Sequence, residues 1–323
     1  MLRIVAVLLS LFLVVAAPAG AAYKNLTISQ QPPGDQPIVR ILTLNVMQSA
    51  SIPRETRFQR IVNFLAQKQT AGQIVHVLLL QELSGGSVDG TTDSGADLAR
   101  MLAAAGMPYG YFTKPAFGWP SFLVFKVGVM PRYRMLFTRA TRLKAPLEYG
   151  VAFTGRKNVV MCGVNIPGFG RLNLYSVHVY SSPLEWVYNQ VSQLLSFVNT
   201  VDQNNPPAVT VVGGDMNFGV TPDTIYIYDL FGAQGFVDAY AAVNGCGPAG
   251  CCQGGDFSGC TFAVPGNPLA EPGSFTARLD YLFVKGRTKA VVVVKSEVVF
   301  NGINGDWVSD HSGVLTEIAL DAP

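Results

Sequence analysis

Charged residues and histidines are scarce in this chain of 323 residues. Only 14% of the residues are charged, the formal net charge is +2, and there are three histidines, whereas 49% of the residues are hydrophobic. So high a hydrophobic content excludes an intrinsically disordered chain. So small a positive excess is unusual for a non-specific nucleic-acid binder, because such binding depends on displacing counterions from many phosphates. The composition therefore favours a folded protein and weighs against a DNA-degrading role.

Long apolar runs are absent except at the N terminus. There, Met1-Leu2-Arg3 precedes an apolar run over residues 4–17 and small residues over 18–22. This pattern predicts a cleaved signal peptide over residues 1–22, because the run is short for a bilayer span, and a secreted or periplasmic protein. The alternative is an uncleaved membrane anchor. The remainder, 23–323, has no linker, charge block or repeat, so it is predicted to form a single catalytic domain.

Cysteine-rich metal motifs are also missing. Four of the five cysteines, Cys246, Cys251, Cys252 and Cys260, cluster in a glycine-rich loop without two Cys-x-x-Cys pairs or a nearby histidine. Because export permits oxidation, one or two disulfide bonds are predicted here rather than a zinc site, with the pairing left open. Cys162 lies in an apolar run and is predicted to be a buried thiol.

Charges of one sign are missing from two long segments. Residues 98–147 contain eight Lys and Arg and no acidic residues, whereas residues 172–277 contain eight acidic residues and no Lys or Arg. The pattern is compatible with ordinary solvated surface. It is equally compatible with a basic wall for an anionic group that faces an acidic wall for a cation.

Short apolar runs that end in Gly, Pro, Asn or Asp dominate the remainder of the chain and are typical of strands. The predicted strands cover residues 38–45, 74–80, 122–130, 151–154, 158–166, 171–179, 208–212, 279–284, 290–299 and 313–319. Helical periodicity over residues 55–67, 94–105 and 186–201 predicts three helices, and Pro167-Gly168-Phe169-Gly170 predicts a hairpin. This mixture indicates an α+β protein rather than strict βαβ alternation.

Polar side chains stand at the ends of several of these strands. They include amides, carboxylates and two of the three histidines, and the set comprises Asn45, Glu82, His178, Asp215, Asn217, Asp280, Asp310 and His311. Each residue alone is commonly a turn former or a satisfied core residue. Convergence of the whole set describes a site.

The chemistry of this set fits phosphate-ester hydrolysis. Carboxylate and amide oxygens are hard ligands that suit Mg²⁺ or Mn²⁺. The reaction requires a cation on the phosphate oxygens, an oriented water and a proton donor for the leaving oxygen, and the set supplies groups for all three. No Walker-type loop and no Ser-His-Asp or Cys-His arrangement at a strand-to-helix elbow offers another chemistry.

The order of these motifs resembles the endonuclease/exonuclease/phosphatase superfamily, also described as DNase-I-like, over residues 38–318. The motifs are Leu44-Asn45, Gln81-Glu82, Ser176-Val177-His178, Gly214-Asp215-Met216-Asn217, Arg278-Leu279-Asp280-Tyr281 and Ser309-Asp310-His311. The resemblance implies a four-layer α/β/β/α sandwich of two mostly antiparallel sheets with the site at one edge.

The resemblance also implies a role for each site residue. Glu82 would be the central metal ligand, with Asn45 nearby and Asp310 on the metal side. Asp215 would orient or deprotonate the water, and Asn217 and His178 would hold the phosphate. His311, oriented by Asp280, would contact the phosphate.

Further motifs are similar to the neutral sphingomyelinases. They are His178, the Thr261…Asn267…Arg278-Leu279-Asp280-Tyr281 series, and Val129-Met130-Pro131-Arg132-Tyr133-Arg134-Met135, in which Pro131 and Arg134 depart from the family's Ser and Pro. His76 stands where that family often has Asp and is interpreted as structural. The second, edge metal site of the bacterial enzymes has no counterpart after Glu82.

We therefore expect a monomeric, Mg²⁺-dependent phosphodiesterase whose substrate is a phospholipid at a membrane surface. The aromatic segment Phe117-Gly118-Trp119-Pro120-Ser121-Phe122 is either loop packing or a lip for that surface. A secreted nuclease and a catalytically silent membrane-binding module of the same fold are the alternatives.

Overall fold

The computed structural model describes residues 26–28, 37–47, 51–84, 93–115, 126–144, 157–247, 250–253, 255–287, 290–303 and 305–320. The predicted signal peptide, the aromatic segment 117–122 and the predicted strand 151–154 lie outside the described residues. No helix in the described ranges is both long enough and apolar enough to cross a bilayer.

The described chain contains thirteen strands and five α-helices. The strands are β1 (Leu26–Ile28), β2 (Val39–Asn45), β3 (Val77–Leu83), β4 (Phe112–Pro115), β5 (Lys126–Pro131), β6 (Met135–Leu143), β7 (Lys157–Ile166), β8 (Gly170–His178), β9 (Val209–Asp215), β10 (Val237–Asp238), β11 (Asp280–Gly286), β12 (Val291–Val299) and β13 (Gly313–Leu320). The helices are α1 (Arg54–Thr70), α2 (Ser94–Ala104), α3 (Leu184–Asn204), α4 (Ile225–Ala233) and α5 (Ala239–Asn244).

The strands form two mixed sheets. The seven-stranded sheet has the order β1-β12-β13-β2-β3-β5-β4, and the six-stranded sheet has the order β10-β11-β9-β8-β7-β6. The pairs β1–β12, β2–β3 and β8–β9 are parallel, and the other neighbouring pairs are antiparallel. The α+β class and the mostly antiparallel sheets predicted above are confirmed.

Three apolar layers hold these elements together, because alternate residues of a strand face opposite sides of its sheet. Ile41 and Leu79 of the first sheet meet Leu174 and Val211 of the second in the central layer. The outer face of the first sheet packs against α1 and α2 in a layer that includes Leu42 and Phe58.

On the other outer side, the second sheet packs against α3 and α4, as Tyr175, Leu194 and Phe231 illustrate. The resulting order, helices, sheet, sheet, helices, is the predicted four-layer sandwich. Four layers explain why most of the strands contain continuous apolar runs, since each sheet is covered on both faces.

Six elements were not predicted from sequence: strands β1, β4, β6 and β10 and helices α4 and α5. Two of them show why. Strand β6 lies at the edge of its sheet, and only one of its nine residues is fully buried, so it lacks a clear apolar pattern. Helix α4 is apolar around most of its circumference, with the sequence IYIYDLFGA, so no amphipathic period identifies it as a helix.

The cysteine predictions are confirmed. Disulfide bonds join Cys246 to Cys251 and Cys252 to Cys260, and Cys162 is a free, buried thiol whose pKa is raised by burial. The disulfides constrain the loop between α5 and the bridge residue Phe262, which precedes β11.

Candidate active site

The polar strand ends converge at one edge of the sandwich. Parallel pairing aligns Asn45 with Gln81 in the first sheet and His178 with Asp215 in the second. Antiparallel pairing brings Asp280, the first residue of β11, opposite Asp215. The sheet topology therefore gathers residues that are far apart in the chain.

A glycine permits the close approach of the two central strands. Gly214 has φ +156°, and a Cβ there would lie 1.9 Å from the carbonyl oxygen of Val177 on the neighbouring strand. Only glycine fits this backbone position, which immediately precedes Asp215. The Gly213-Gly214-Asp215 motif thus reflects strand packing as well as chemistry.

Asp215, Asp280 and His311 form the cluster at the centre of the site. His311 Nδ1 lies 2.8 Å from Asp280 Oδ2, and His311 Nε2 lies 3.8 Å from Asp215 Oδ2. One ligand atom from each of the three residues lies within 4.8 Å of the others. All three side chains are buried, so their charges interact with little screening by solvent.

Two amides hold the Asp215 carboxylate. Asn45 Nδ2 donates to Asp215 Oδ2 at 3.0 Å across the two sheets, and the backbone N–H of Asn217 donates to Oδ1 at 2.9 Å. The Asn217 side chain donates to the carbonyl of Val179 at 2.9 Å, beside the end of β8. The predicted residues Asn45, Asp215 and Asn217 are therefore brought together.

Lys157 is a site residue that the sequence analysis missed. Its Nζ lies 2.8 Å from His178 Nε2, and its charge interacts with Glu82 and Asp215. It is the lone cation at the start of the apolar strand β7, and that position was the available signal. An ammonium at this point fits a His178 ring that is unprotonated at Nε2 and accepts the hydrogen bond.

His178 and His311 have opposite electrostatic environments. Burial, together with the positive charges of Lys157 and His311, lowers the pKa of His178 well below its ordinary value. Burial also lowers the pKa of His311, but Asp280 and Asp215 outweigh this effect and raise it from 6.5 to about 10. These opposite shifts favour the neutral form of His178 and the protonated form of His311, which suits different roles for the two rings.

Glu82 and Asp310 lie at the periphery of this cluster. Glu82 is half-buried in β3 with φ +56°, at a point where the pairing with β5 changes register, and its charge acts on Lys157. Asp310 is half-buried, accepts a hydrogen bond from the Ser309 hydroxyl at 3.1 Å, and helps to raise the pKa of His311. Neither belongs to the three-residue cluster, so their predicted ligand roles stay predictions.

Thr261 and Asn267 support the loops that carry the cluster. The Thr261 hydroxyl accepts hydrogen bonds from the backbone N–H groups of Leu279 and Asp280, both at 3.0 Å. Asn267 Nδ2 donates to the carbonyl of Ser309 at 2.9 Å, two residues before His311. Both residues hold backbone in place rather than face the reacting group.

The interpretation of His76 as structural is confirmed. His76 Nδ1 accepts from the backbone N–H of Arg40 at 3.0 Å, and its ring stacks on Tyr133. Burial and the charges of Arg40 and Arg132 lower its pKa from 6.5 to about 4.

A divalent cation fits the donors at this edge. Asp280 Oδ1 is buried without a hydrogen-bond partner, and burial raises the pKa of Asp215. A cation bound beside these two groups would stabilise their ionised forms. Asp215 and Asp280, with Asn45, Glu82 and Asp310 at the same edge, offer the oxygen ligands that Mg²⁺ and Mn²⁺ prefer.

Solved structures with the same fold come from several organisms. An endonuclease/exonuclease/phosphatase family protein from Leptotrichia buccalis is 19% identical with a TM-score of 0.65, covering 88% of this chain and 100% of that one. An endonuclease/exonuclease/phosphatase from Beutenbergia cavernae is 21% identical with a TM-score of 0.65, and the match covers 88% of this chain and 72% of that one. D. rerio TDP2 complexed with single-strand DNA product is 17% identical with a TM-score of 0.62, and the match covers 87% of this chain and 98% of that one.

Sequence comparison identifies the family directly. A search of curated proteins gives no significant match. The model of the endonuclease/exonuclease/phosphatase family, whose members are generally hydrolases of phosphodiester bonds, matches residues 42–311, which include all eight predicted site residues. The chain therefore belongs to the endonuclease/exonuclease/phosphatase family.

Proposed function

We propose that this protein is an exported, divalent-metal-dependent phosphodiesterase that hydrolyses a phospholipid in the manner of the neutral sphingomyelinases. The observation that carries the catalytic part of the proposal is the buried Asp215–His311–Asp280 cluster, in which an imidazole ring lies between two carboxyl groups. Such an arrangement provides a proton acceptor and a proton donor within one site.

In the proposed reaction, Asp215 accepts the proton of the attacking water while its carboxylate is held by Asn45 and Asn217. His311 donates its Nε2 proton to the leaving alcohol oxygen as the phosphorus–oxygen bond breaks, since its Nδ1 is occupied by Asp280. The electron pair of that bond leaves with the alcohol oxygen, and the new bond joins phosphorus to the water oxygen.

The remaining groups bind and orient the phosphate. Lys157 Nζ lies 2.8 Å from His178 Nε2, and His178 Nε2 lies 3.4 Å from Asp215 Oδ2. The Asn217 amide is anchored close by on the carbonyl of Val179, and in the proposed site the phosphate binds among these groups. A divalent cation held by Glu82, with Asn45 and Asp310 nearby, would neutralise the phosphate charge. Burial of the surrounding groups excludes water and strengthens each of these interactions.

An aromatic surface beside the cluster supports a substrate with an apolar part. The Phe262 ring lies 4.8 Å from the His311 ring, and Phe275, with 68% of its surface exposed, lies 5.7 Å from Phe262. An apolar wall next to the phosphate site would contact the hydrophobic portion of a lipid at the interface. The low net charge and the similarity around Thr261 and Asn267 favour the same substrate class.

A nuclease is the second candidate, and one feature favours it. Arg134, Arg139 and Arg142 are exposed along or beside β6, in the segment without acidic residues. The similarity in fold to D. rerio TDP2, which was solved with a DNA product, is compatible with a nucleic-acid substrate. Such contacts would depend strongly on salt.

A substrate panel tests the proposal. Purified protein beginning at residue 23 is incubated with sphingomyelin vesicles, phosphatidylcholine vesicles or supercoiled plasmid, with Mg²⁺ or with chelator. We expect Mg²⁺-dependent release of phosphocholine from sphingomyelin and none from the Asp215→Asn variant. Plasmid nicking that disappears at high salt, without phosphocholine release, would instead establish the nuclease. Inactivity on all three substrates would contradict both.

Export is tested separately. We propose that residues 1–22 are removed during secretion. The full chain is expressed in a secretion-competent host, and the N terminus of the extracellular protein is sequenced. A start at or near Tyr23 is expected, whereas retention of the intact N terminus in the membrane fraction would favour the uncleaved anchor.

A further inference from the structure

Arg57 is the largest fully buried side chain in the described part of the protein, with 1% of its surface exposed. It lies in the first turn of α1, whose other polar residues are mostly exposed. A guanidinium has five N–H donors, and leaving them unpaired away from water would be costly. The partners of Arg57 therefore show what this charge is buried for.

The guanidinium donates four hydrogen bonds, all to backbone carbonyls. Nε donates to Ile52 at 3.2 Å, Nη1 to Val46 at 2.5 Å and to Val308 at 2.8 Å, and Nη2 to Met47 at 3.0 Å. These carbonyls belong to three separate segments: the end of β2, the approach to α1, and the loop before β13. One side chain thus ties three segments together.

Two of these segments carry predicted site residues. Val46 and Met47 directly follow Asn45, which holds the Asp215 carboxylate. Val308 precedes Asp310 by two residues and His311 by three. Burial lowers the pKa of Arg57, and the nearby Asp310 carboxylate acts in the opposite direction.

A specific chain of contacts leads from Arg57 to the reacting groups. The backbone N–H of Met47 donates to Asn45 Oδ1 at 3.0 Å, which turns the Asn45 amide so that Nδ2 faces Asp215. The backbone of Met47 adopts the left-handed conformation here, with φ +51°, which is unfavourable for a residue other than glycine. The hydrogen bond from Arg57 to the Met47 carbonyl stabilises that conformation.

We infer that Arg57 is a positioning residue for the active site, which sets the Asn45 amide against Asp215 and holds the Asp310–His311 loop in register with it. This inference rests on the proposed function, because it concerns the same site. Lysine cannot replace Arg57, since a single ammonium cannot reach carbonyls on three segments in the geometry of a guanidinium fork.

The chain offers a matched control on the same helix. Arg60, one turn further along α1, donates from Nη1 to the carbonyl of Trp307 at 2.5 Å. It therefore anchors the same loop before β13, and its hydrogen bond goes to that loop and not to the carbonyls of Val46 and Met47. Arg60→Ala removes a loop anchor of the same chemical kind without disturbing the contacts to Asn45.

The experiment combines kinetics with a readout that needs no turnover. For Arg57→Lys, we expect kcat to fall ~10-fold to 100-fold with KM nearly unchanged, because small misplacements of reacting groups have effects of this size. With selective [¹⁵N]methionine labelling, the Met47 amide should lose its protection from hydrogen exchange. Arg60→Ala should retain both kcat and the protection of Met47.

A second variant separates positioning from folding. Arg57→Ala leaves a cavity that free guanidinium can enter, and added guanidinium at non-denaturing concentration should restore kcat more than equal potassium chloride does. Wild-type kcat in Arg57→Lys, or a lower Tm as the only change in both Arg57 variants, would overturn the inference. If the wild type hydrolyses no substrate, the proposed function fails, and Met47 protection in Arg57→Lys still decides whether Arg57 holds the Asn45 segment.

Discussion

His311 Nδ1 lies 2.8 Å from Asp280 Oδ2, and neither residue has more than 5% of its surface exposed. Burial alone would lower the pKa of the ring, yet Asp280 and Asp215 raise it to about 10. The pair therefore presents an Nε2–H group toward Asp215 at neutral pH, and Asp280 keeps the ring in that orientation. Phe262 lies against the ring and restricts its movement further.

Replacing the carboxylate of this pair tests its role. Asp280→Asn keeps the shape of the side chain but removes a negative charge that raises the pKa of His311, so this pKa should fall. Activity should fall about 100-fold or more, the scale of general acid catalysis. The measurements are kcat on the active substrate and the pKa of His311 from imidazole ¹⁵N NMR.

The control for Asp280→Asn is a melting experiment, which shows whether the variant still folds. The Thr261 hydroxyl contacts the backbone of residue 280 and not its side chain, so the variant should melt cooperatively at a Tm close to that of the wild type. An unchanged kcat together with an unchanged His311 pKa would contradict the role assigned to the pair.

Lys157 provides a second prediction. Its positive charge is one of the causes of the low pKa of His178, so Lys157→Met should raise that pKa toward the ordinary value of a histidine. Activity should fall as well, because a cation near the phosphate site is lost. Imidazole NMR measures the effect, and the His76 resonance is an internal control because Lys157 does not contribute to its pKa. A His178 pKa that stays low would show that burial alone sets it.

His76 predicts an acid-sensitive step in stability away from the site. Its pKa is about 4 in the folded protein and 6.5 in its ordinary state, so the unfolded chain binds more protons between these values. Stability should therefore decrease as pH falls through this window, by on the order of 3 kcal/mol once protonation is complete.

The His76→Gln variant isolates this effect. Glutamine stays neutral, so its urea midpoint should change less than that of the wild type between neutral pH and about pH 4. Parallel acid dependence in the two proteins would assign the loss of stability to other groups.

The disulfide between Cys252 and Cys260 provides a prediction about the loop beside the site. It closes a sequence separation of 8 residues and ends next to Thr261. Replacing both cysteines with serine should lower the free energy of unfolding by about 2–3 kcal/mol, since the unfolded chain regains conformational entropy. Denaturant unfolding measures the loss. Wild-type stability in the double variant would show that the bond contributes nothing to the folded protein.

Much of the fold could be predicted from sequence because both sheets are covered on both faces. Continuous apolar runs such as residues 158–166 indicate buried strands regardless of their partners, and the turn at Pro167-Gly168-Phe169-Gly170 indicates the hairpin. Strand β6 was missed since its exposure at the sheet edge leaves no apolar pattern. The disulfide pairing was also open, because four cysteines within fifteen residues allow several pairings.

Part of the candidate site could be predicted from sequence, because several of its residues are polar groups at the ends of apolar strands. Asn45, Asp215 and Asp280 carry polar groups at the boundaries of apolar strands, and such positions are visible in a sequence. Lys157 and Arg57 were not identified, because a single lysine at a strand start and an arginine in a helix are ordinarily solvated surface residues. Their burial depends on segments that are remote in the chain.

The sequence by itself determined the α+β class through its local apolar patterns and the kind of reaction through the functional groups present, and the order of its strand-end motifs indicated by resemblance the family and the layered fold. Only the tertiary structure decided that the pKa values of the two site histidines shift in opposite directions, that a lysine lies among the acidic groups, and that a buried arginine bonds to two site loops. Those properties arise from distances between charges in a medium of low polarity, and such distances exist only after distant segments have packed together.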